Sequence, residues 1–139
     1  MEVKFYEINE IDDSLLTFAV IVSRYKDKWV WCKNKFRKGW EVPGGRREKD
    51  EPISETAKRE LHEETGAIKF DLTPICVYSA KYDVERFGML YFADIIELGN
   101  LPESEIEHID FFQDNPEELS FPLIQPILAE RIKNELLKV

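Results

Sequence analysis

The sequence predicts an α/β domain in which a mixed β-sheet lies between helices. Three observations lead there. Two pairs of strand-like runs flank one helical segment, several of those runs are apolar on both faces, and the chain ends in an amphipathic stretch. A strand buried on both faces needs cover above and below, and helices supply it.

Residues 1 to 10 alternate weakly, with Val3, Phe5 and Ile8 placed to make an edge strand. Thr17 to Arg24 is rich in β-branched and aromatic residues and reads as a strand. Tyr25-Lys26-Asp27-Lys28 then forms a turn, and Trp29 to Lys33 returns as the second arm of a hairpin. A loop over Phe36 to Gly39 leads to a short strand, Trp40 to Val42, and into Pro43-Gly44-Gly45.

The helical segment follows. Asp50 and Glu51 precede Pro52, a residue favoured in a first helical turn, where acids complement the positive end of the helix dipole. Ile53, Ala57 and Leu61 recur every four residues as an apolar stripe, and Gly66 is placed to stop the helix with a left-handed cap.

Beyond it, Phe70 to Pro74 leads to a strand at Ile75 to Ala80, the charged run Tyr82 to Phe87 reads as a connecting loop, and Gly88 to Leu98 is a strong strand. Gly99 to Glu105 is loop by composition and Ile106 to Phe112 a last short strand. Asn115-Pro116-Glu117-Glu118 has the pattern of a helix start. From Leu123 to Val139, Ile124, Ile127, Leu128, Ile132, Leu136 and Leu137 fall at helical spacing and predict a closing helix. Repeats, low-complexity tracts and linkers are absent, so residues 1–139 are expected to form one domain.

Composition narrows the function. Hydrophobic residues make up 43% of the chain and charged ones 34%, as in a soluble globular protein, and no apolar run reaches the length of a membrane span. The opening MEVKFYEINE lacks the pattern of a signal peptide, so a cytoplasmic location is expected. Cys32 and Cys76 have neither zinc spacing nor a disulfide framework and read as reduced core thiols. A net charge of −9 argues against a general polynucleotide binder. Positive charge nevertheless gathers around the glycine turn, at Lys33, Lys35, Arg37 and Lys38 before it and Arg46, Arg47 and Lys49 after it, where an anionic substrate could dock.

The sharpest signal is acidic. On a helix turning ~100° per residue, Glu60, Glu63 and Glu64 crowd within about 100° of one another. Such crowding opposes helix stability, whereas a hard divalent cation such as Mg²⁺ or Mn²⁺ would reverse its sign and bridge to phosphate. Arg59 stands four residues before Glu63 and within reach of Glu51, a placement suited to orienting the cluster.

Gly45, Glu51 and Arg59-Glu60-Leu61-His62-Glu63-Glu64-Thr65-Gly66-Ala67, at these spacings, resemble the complete Nudix box. One departure is Ala67, where a larger aliphatic is usual. Gly39 to Gly45 is similar to the strand and turn that lead into the box, and the likeness runs over roughly residues 17 to 98. The resemblance implies the Nudix α/β/α sandwich and hydrolysis of a diphosphate linkage in a nucleoside diphosphate joined to another group. It implies Glu60, Glu63 and Glu64 as metal ligands, Glu60 or a nearby acid as base, and the Gly44 carbonyl as a further ligand. An additional glutamate often comes from a loop beyond the box, for which Glu103, Glu105 and Glu107 are candidates. His62 occupies a variable position facing away from the acids.

Substrate contacts are expected from one or two of Lys35, Arg37 and Arg46, and from an aromatic among Trp40, Tyr82, Phe87 and Phe111. The flanks KGWEVPGG and MLYFADI are similar to the branch that removes oxidised purine nucleoside triphosphates such as 8-oxo-dGTP. A nucleoside triphosphate pyrophosphohydrolase is therefore the first expectation. Hydrolysis of ADP-ribose or a dinucleoside polyphosphate is the second, and a non-catalytic nucleotide sensor the rival from another class. Either a monomer or a homodimer is compatible with the sequence.

Overall fold

The computed structural model describes residues 1–138. Eight strands and two α-helices follow in order: β1 (Glu2–Tyr6), β2 (Leu16–Tyr25), β3 (Lys28–Asn34), β4 (Trp40–Glu41), β5 (Gly44–Arg46), α1 (Ile53–Thr65), β6 (Ala67–Lys81), β7 (Glu85–Leu98), β8 (Ile106–Phe112) and α2 (Gln125–Leu136), with a 3₁₀ turn at Asp13–Leu15. The sheet runs β1-β6-β7-β2-β3-β4, with β5 paired to β2 and β8 to β3. Among the strand pairs of the described residues β2 and β7 run parallel and the rest antiparallel, with a further parallel bridge between Trp40 and Leu119.

Alternation along β2 explains the layers. Ala19 and Ile21 face one side with Ile53, Ala57 and Leu61 of α1, while Val20 and Val22 face the other with Leu128, Ala129 and Ile132 of α2. Each helix thus covers one face of a sheet that neither face could leave in water, giving the expected α/β/α sandwich. Leu61, Leu128 and Ile132 are fully buried, and truncating any one to Ala would cost about 2–5 kcal/mol.

Local chemistry sets the hairpins. β2 turns into β3 through Lys26 and Asp27, both at positive φ, the twist a two-residue hairpin loop needs. The apolar stripe of α1 is buried as its spacing predicts, and Gly66 caps the helix at φ +81°, its N–H donating to the His62 carbonyl. Pro52 sits at the N-cap, one position before the first helical turn.

Several expectations need correction. β6 starts at Ala67, directly after the cap, and reaches Lys81, so the segment before Ile75 is strand and not a lead-in. Pro74 is accommodated because the register shifts between Pro74 and Cys76 and because β1 pairs only with residues 77–81, leaving this part of β6 an edge. Glu85 to Phe87 belong to β7, which shortens the expected loop to residues 82–84. Cross-strand pairing overrides their charge, since Glu85 accepts from Tyr6 and Ser79 hydroxyls at 2.8 and 2.7 Å.

No helix starts at Asn115. That segment is irregular with bends, and Leu119 bridges to Trp40, the Glu118 carbonyl accepting the Trp40 N–H and the Ser120 N–H donating to the Trp40 carbonyl, so these backbone groups pair with β4 and not within a helix. The closing helix begins at Gln125 and ends at Leu136, leaving Leu123 and Leu137 exposed outside it; Val139, the end of the expected span, lies outside the described residues. Ile8 also falls outside β1. No helix among the described residues is long and apolar enough to cross a membrane.

Candidate active site

The sheet opens where β2 changes partner. Its last residues pair with β3, while Phe18, Ala19 and Val20 pair with β5, so the glycine turn is laid against the middle of the sheet. A Cβ on Gly44 would stand 2.7 Å from the Ala19 carbonyl oxygen. A Cβ on Gly45 would run into the Glu60 carboxyl group, which shows how closely the turn approaches α1.

Above this turn lies a cleft of about 900 Å³. Glu60, Glu63 and Glu64 line it together with Gly44 and Gly45. Glu64 is the most enclosed of the three: its Oε1 accepts the Gly44 N–H at 2.8 Å, and burial pushes its carboxyl up to about 8, with Glu60, Glu41 and Glu105 adding like charge. Glu60 is also raised, by burial first and by Glu63. The folded chain therefore gathers carboxylates that disfavour one another's ionisation, a cost that a cation would reverse.

Arg59 holds that arrangement from the side. Its Nε and Nη2 donate to Glu51 at 2.9 and 3.0 Å, its Nη1 to Glu60 at 2.8 Å, and its Nη2 reaches the Arg46 carbonyl at 3.2 Å. Glu63 lies 3.6 Å from the same guanidinium. Glu51 also accepts from Thr56 Oγ1 and the Glu48 N–H, and this set of donors lowers its carboxyl to about 2. The arginine placed beside the cluster by its spacing thus ties the loop after β5 to the middle of α1.

The donor set suits a hard cation. Three carboxylates face one cleft beside backbone oxygens, with no thiol or imidazole among them, the chemistry that holds Mg²⁺ or Mn²⁺. Among the described residues no three acidic, His or Cys side chains converge as a finished cage, because Glu60 and Glu63 are turned toward Arg59.

The chain matches the NUDIX domain family over residues 14–133. It belongs to the Nudix family. A relative, YtkD of Bacillus subtilis (strain 168), named for a proposed 8-oxo-dGTP diphosphatase activity, is 33% identical over 109 residues, 72% of this chain and 64% of its own length. The chain therefore spans less than two thirds of that relative. Among solved structures, the Bacillus subtilis pyrophosphohydrolase BsRppH superposes with a TM-score of 0.80 at 26% identity, covering 96% of this chain and 90% of that one. The NUDIX domain of Shewanella oneidensis NrtR, solved with ADP ribose, reaches 0.69 at 14% identity over 93% and 96%, a likeness of fold.

The expected contacts sort themselves in this Nudix cleft. Arg37, Arg46 and Tyr82 line it; Lys35 does not. Arg46 lies over the Phe18 ring at 5.3 Å. Of the downstream acids only Glu105 reaches the cleft, held by Asn34 Nδ2 at 3.5 Å while the Lys35 N–H takes its carbonyl; Glu103 and Glu107 stand outside. Arg47 is spent on Asp13 and the Glu51 carbonyl. Trp40 packs on Phe112 and His108, Phe87 on Tyr6, and Phe111 on Tyr25, which removes all three aromatics as stacking candidates. His62 is exposed and closes the end of α1, its Nδ1 2.9 Å from the Ala67 carbonyl.

Other lining residues gave no signal in the sequence. Glu41 is 6% exposed and accepts from Arg37 Nε and Nη2 at 2.7 and 3.1 Å, while the Phe121 ring lies 5.2 Å from that guanidinium. Gln125, Ile124 and Leu128 enter from α2, and Tyr78 from β6. Nothing local marks Gln125, Ile124, Leu128 and Tyr78, which are brought in by packing of distant segments, whereas Glu41 lies in β4 just before the glycine turn.

Proposed function

We propose that this chain is a divalent-cation-dependent hydrolase of nucleoside triphosphates, cutting a diphosphate linkage to release nucleoside monophosphate and pyrophosphate. An oxidised purine nucleotide such as 8-oxo-dGTP is the first substrate to try. The observation that carries the reading is the burial of Glu64 beside Glu60 at the foot of a nucleotide-sized cleft, with both carboxyls held above their ordinary range. YtkD's name supports the substrate class. Fold likeness cannot choose it, because folds host many activities.

Glu60, Glu63 and Glu64, with the Gly44 carbonyl, would hold Mg²⁺ or Mn²⁺. Bound there, the ion would spread the charge that develops on the phosphates and lower the pKa of a coordinated water. The chain's own residues do the rest. Arg59 orients the Glu60 carboxylate, the Gly44 N–H fixes Glu64, and Arg46 at the cleft wall would present N–H donors to phosphate oxygens. Glu60 or a neighbouring acid accepts the proton of the attacking water. Glu105 supplies a further negative oxygen from the opposite loop.

A panel of triphosphates including 8-oxo-dGTP, with ADP-ribose and a dinucleoside polyphosphate, incubated with Mg²⁺ and followed by product analysis, tests this. Monophosphate plus pyrophosphate is the expected outcome. Binding across the panel with no cleavage would replace the hydrolase by a sensor, and cleavage of ADP-ribose alone would move the substrate class. A cytoplasmic protein acting alone or as a homodimer fits the same reading.

A further inference from the structure

We infer that the Gln125 side-chain amide reads the base, selecting a ring carbonyl over an exocyclic amino group. The inference rests on the nucleotide reading above and deepens it. Gln125 is the first residue of α2, but its side chain does not cap its own helix. It crosses 83 residues of sequence so that Oε1 accepts the Val42 N–H at 2.9 Å. An N–H donor can be met only by the amide oxygen, so this contact fixes which way the amide faces. Its Nε2 then has two hydrogens and, among the described residues, no acceptor, while the side chain lines the cleft.

The surroundings make this a place for a base and not for phosphate. Ile124, Leu128 and Phe121 line the cleft beside Gln125, an apolar wall of the kind that takes a flat ring. Val42 and Gly44, the backbone donors held by Gln125 and Glu64, are two residues apart and so no more than about 7 Å from each other. A nucleotide whose phosphates lie at the acids thus carries its base to the amide. Glu41, the acid on this side, is turned to the Arg37 fork, which takes one acceptor position on each of its oxygens.

A ring carbonyl can accept from Nε2. An amino group in the same place would set donor against donor and leave both unpaired, the kind of mismatch to which buried polar sites are most sensitive. Inosine and adenosine nucleotides differ only at C6, carbonyl against amino, and in the N1 proton that goes with it, which makes them the probes.

The experiment compares kcat/KM for ITP and ATP, with Mg²⁺, in the unmodified chain and in Gln125→Leu and Gln125→Glu, each first shown folded by its melting transition. Gln125→Glu keeps an oxygen for Val42 and replaces the donor by an acceptor. A preference for ITP of about tenfold or more is expected. It should fall to near one in Gln125→Leu and turn toward ATP in Gln125→Glu. Equal rates in the unmodified chain, or a ratio unchanged in either folded variant, would overturn the inference while leaving hydrolysis intact. If neither ITP nor ATP is cleaved, hydrolysis is decided by the wider panel that includes 8-oxo-dGTP. Calorimetric binding of IMP against AMP to the same three proteins then decides the role of the amide.

Discussion

Arg59 and Glu51 are joined by two parallel hydrogen bonds, Nε to Oε2 at 2.9 Å and Nη2 to Oε1 at 3.0 Å, with the third nitrogen left to hold Glu60. The fork fixes the guanidinium plane, and through it the Glu60 carboxylate, which stands against Gly45. Replacing Arg59 by Ala should lower turnover by about tenfold or more with little change in KM, because Glu60 loses its support and not its charge. Lysine cannot reproduce the fork, so Arg59→Lys should recover little. Steady-state kinetics of the two variants checks both statements.

The same pair predicts an acid transition. Glu51 titrates at about 2 in the folded chain against 4.5 ordinarily, so its contribution is complete above pH ~4.5 and is lost as pH falls toward 2. Urea denaturation across that window should show Glu51→Gln with a flatter pH dependence than the unmodified chain.

Glu64 predicts the opposite slope. Its folded carboxyl is raised to about 8, so the folded state holds a proton that the unfolded chain releases near 4.5, and stability falls as pH rises between those values. In chelator, Glu64→Gln should therefore be more stable than the unmodified chain at pH 8, by on the order of a few kcal/mol, and nearly equal to it at pH 4. Added Mg²⁺ should raise the melting temperature of the unmodified chain well above any effect on the variant. Turnover in Glu64→Gln should drop by several orders of magnitude, and near-normal turnover would remove Glu64 from the site.

Gly45→Ala separates site from scaffold. The new methyl group meets the end of the flexible Glu60 side chain, which can move aside, so the fold should survive while the carboxylate is displaced. Activity should fall by more than about tenfold with a melting point close to the parent's. Gly66→Ala should do the reverse, costing about 1–2 kcal/mol of stability, since a φ of +81° strains any L side chain and the Asn100 carbonyl blocks the space.

Glu105→Gln should reduce turnover where Glu103→Gln and Glu107→Gln leave it unchanged, because only the first lines the cleft. Parallel rate measurements on the three variants decide it.

Local order was open to reading from the residues alone. The helix of the box, its buried stripe, its glycine cap, the crowding of Glu60, Glu63 and Glu64, and the reach of Arg59 to Glu51 all lie within about two dozen residues, where helical period and side-chain length determine who meets whom. Two covered sheet faces likewise followed from strands apolar on both sides. Contacts across the chain did not follow. Gln125 meets Val42 and Asn34 meets Glu105 only because sheet pairing and the docking of α2 bring separate segments to one cleft. The extension of β6 and β7 through charged residues, and the loss of a helix at Asn115, have the same origin: backbone pairing with a distant strand outweighs a local preference. Composition and spacing set the chemistry of the acids, whereas the choice among Glu103, Glu105 and Glu107, and the wall that would face a base, came from long-range packing.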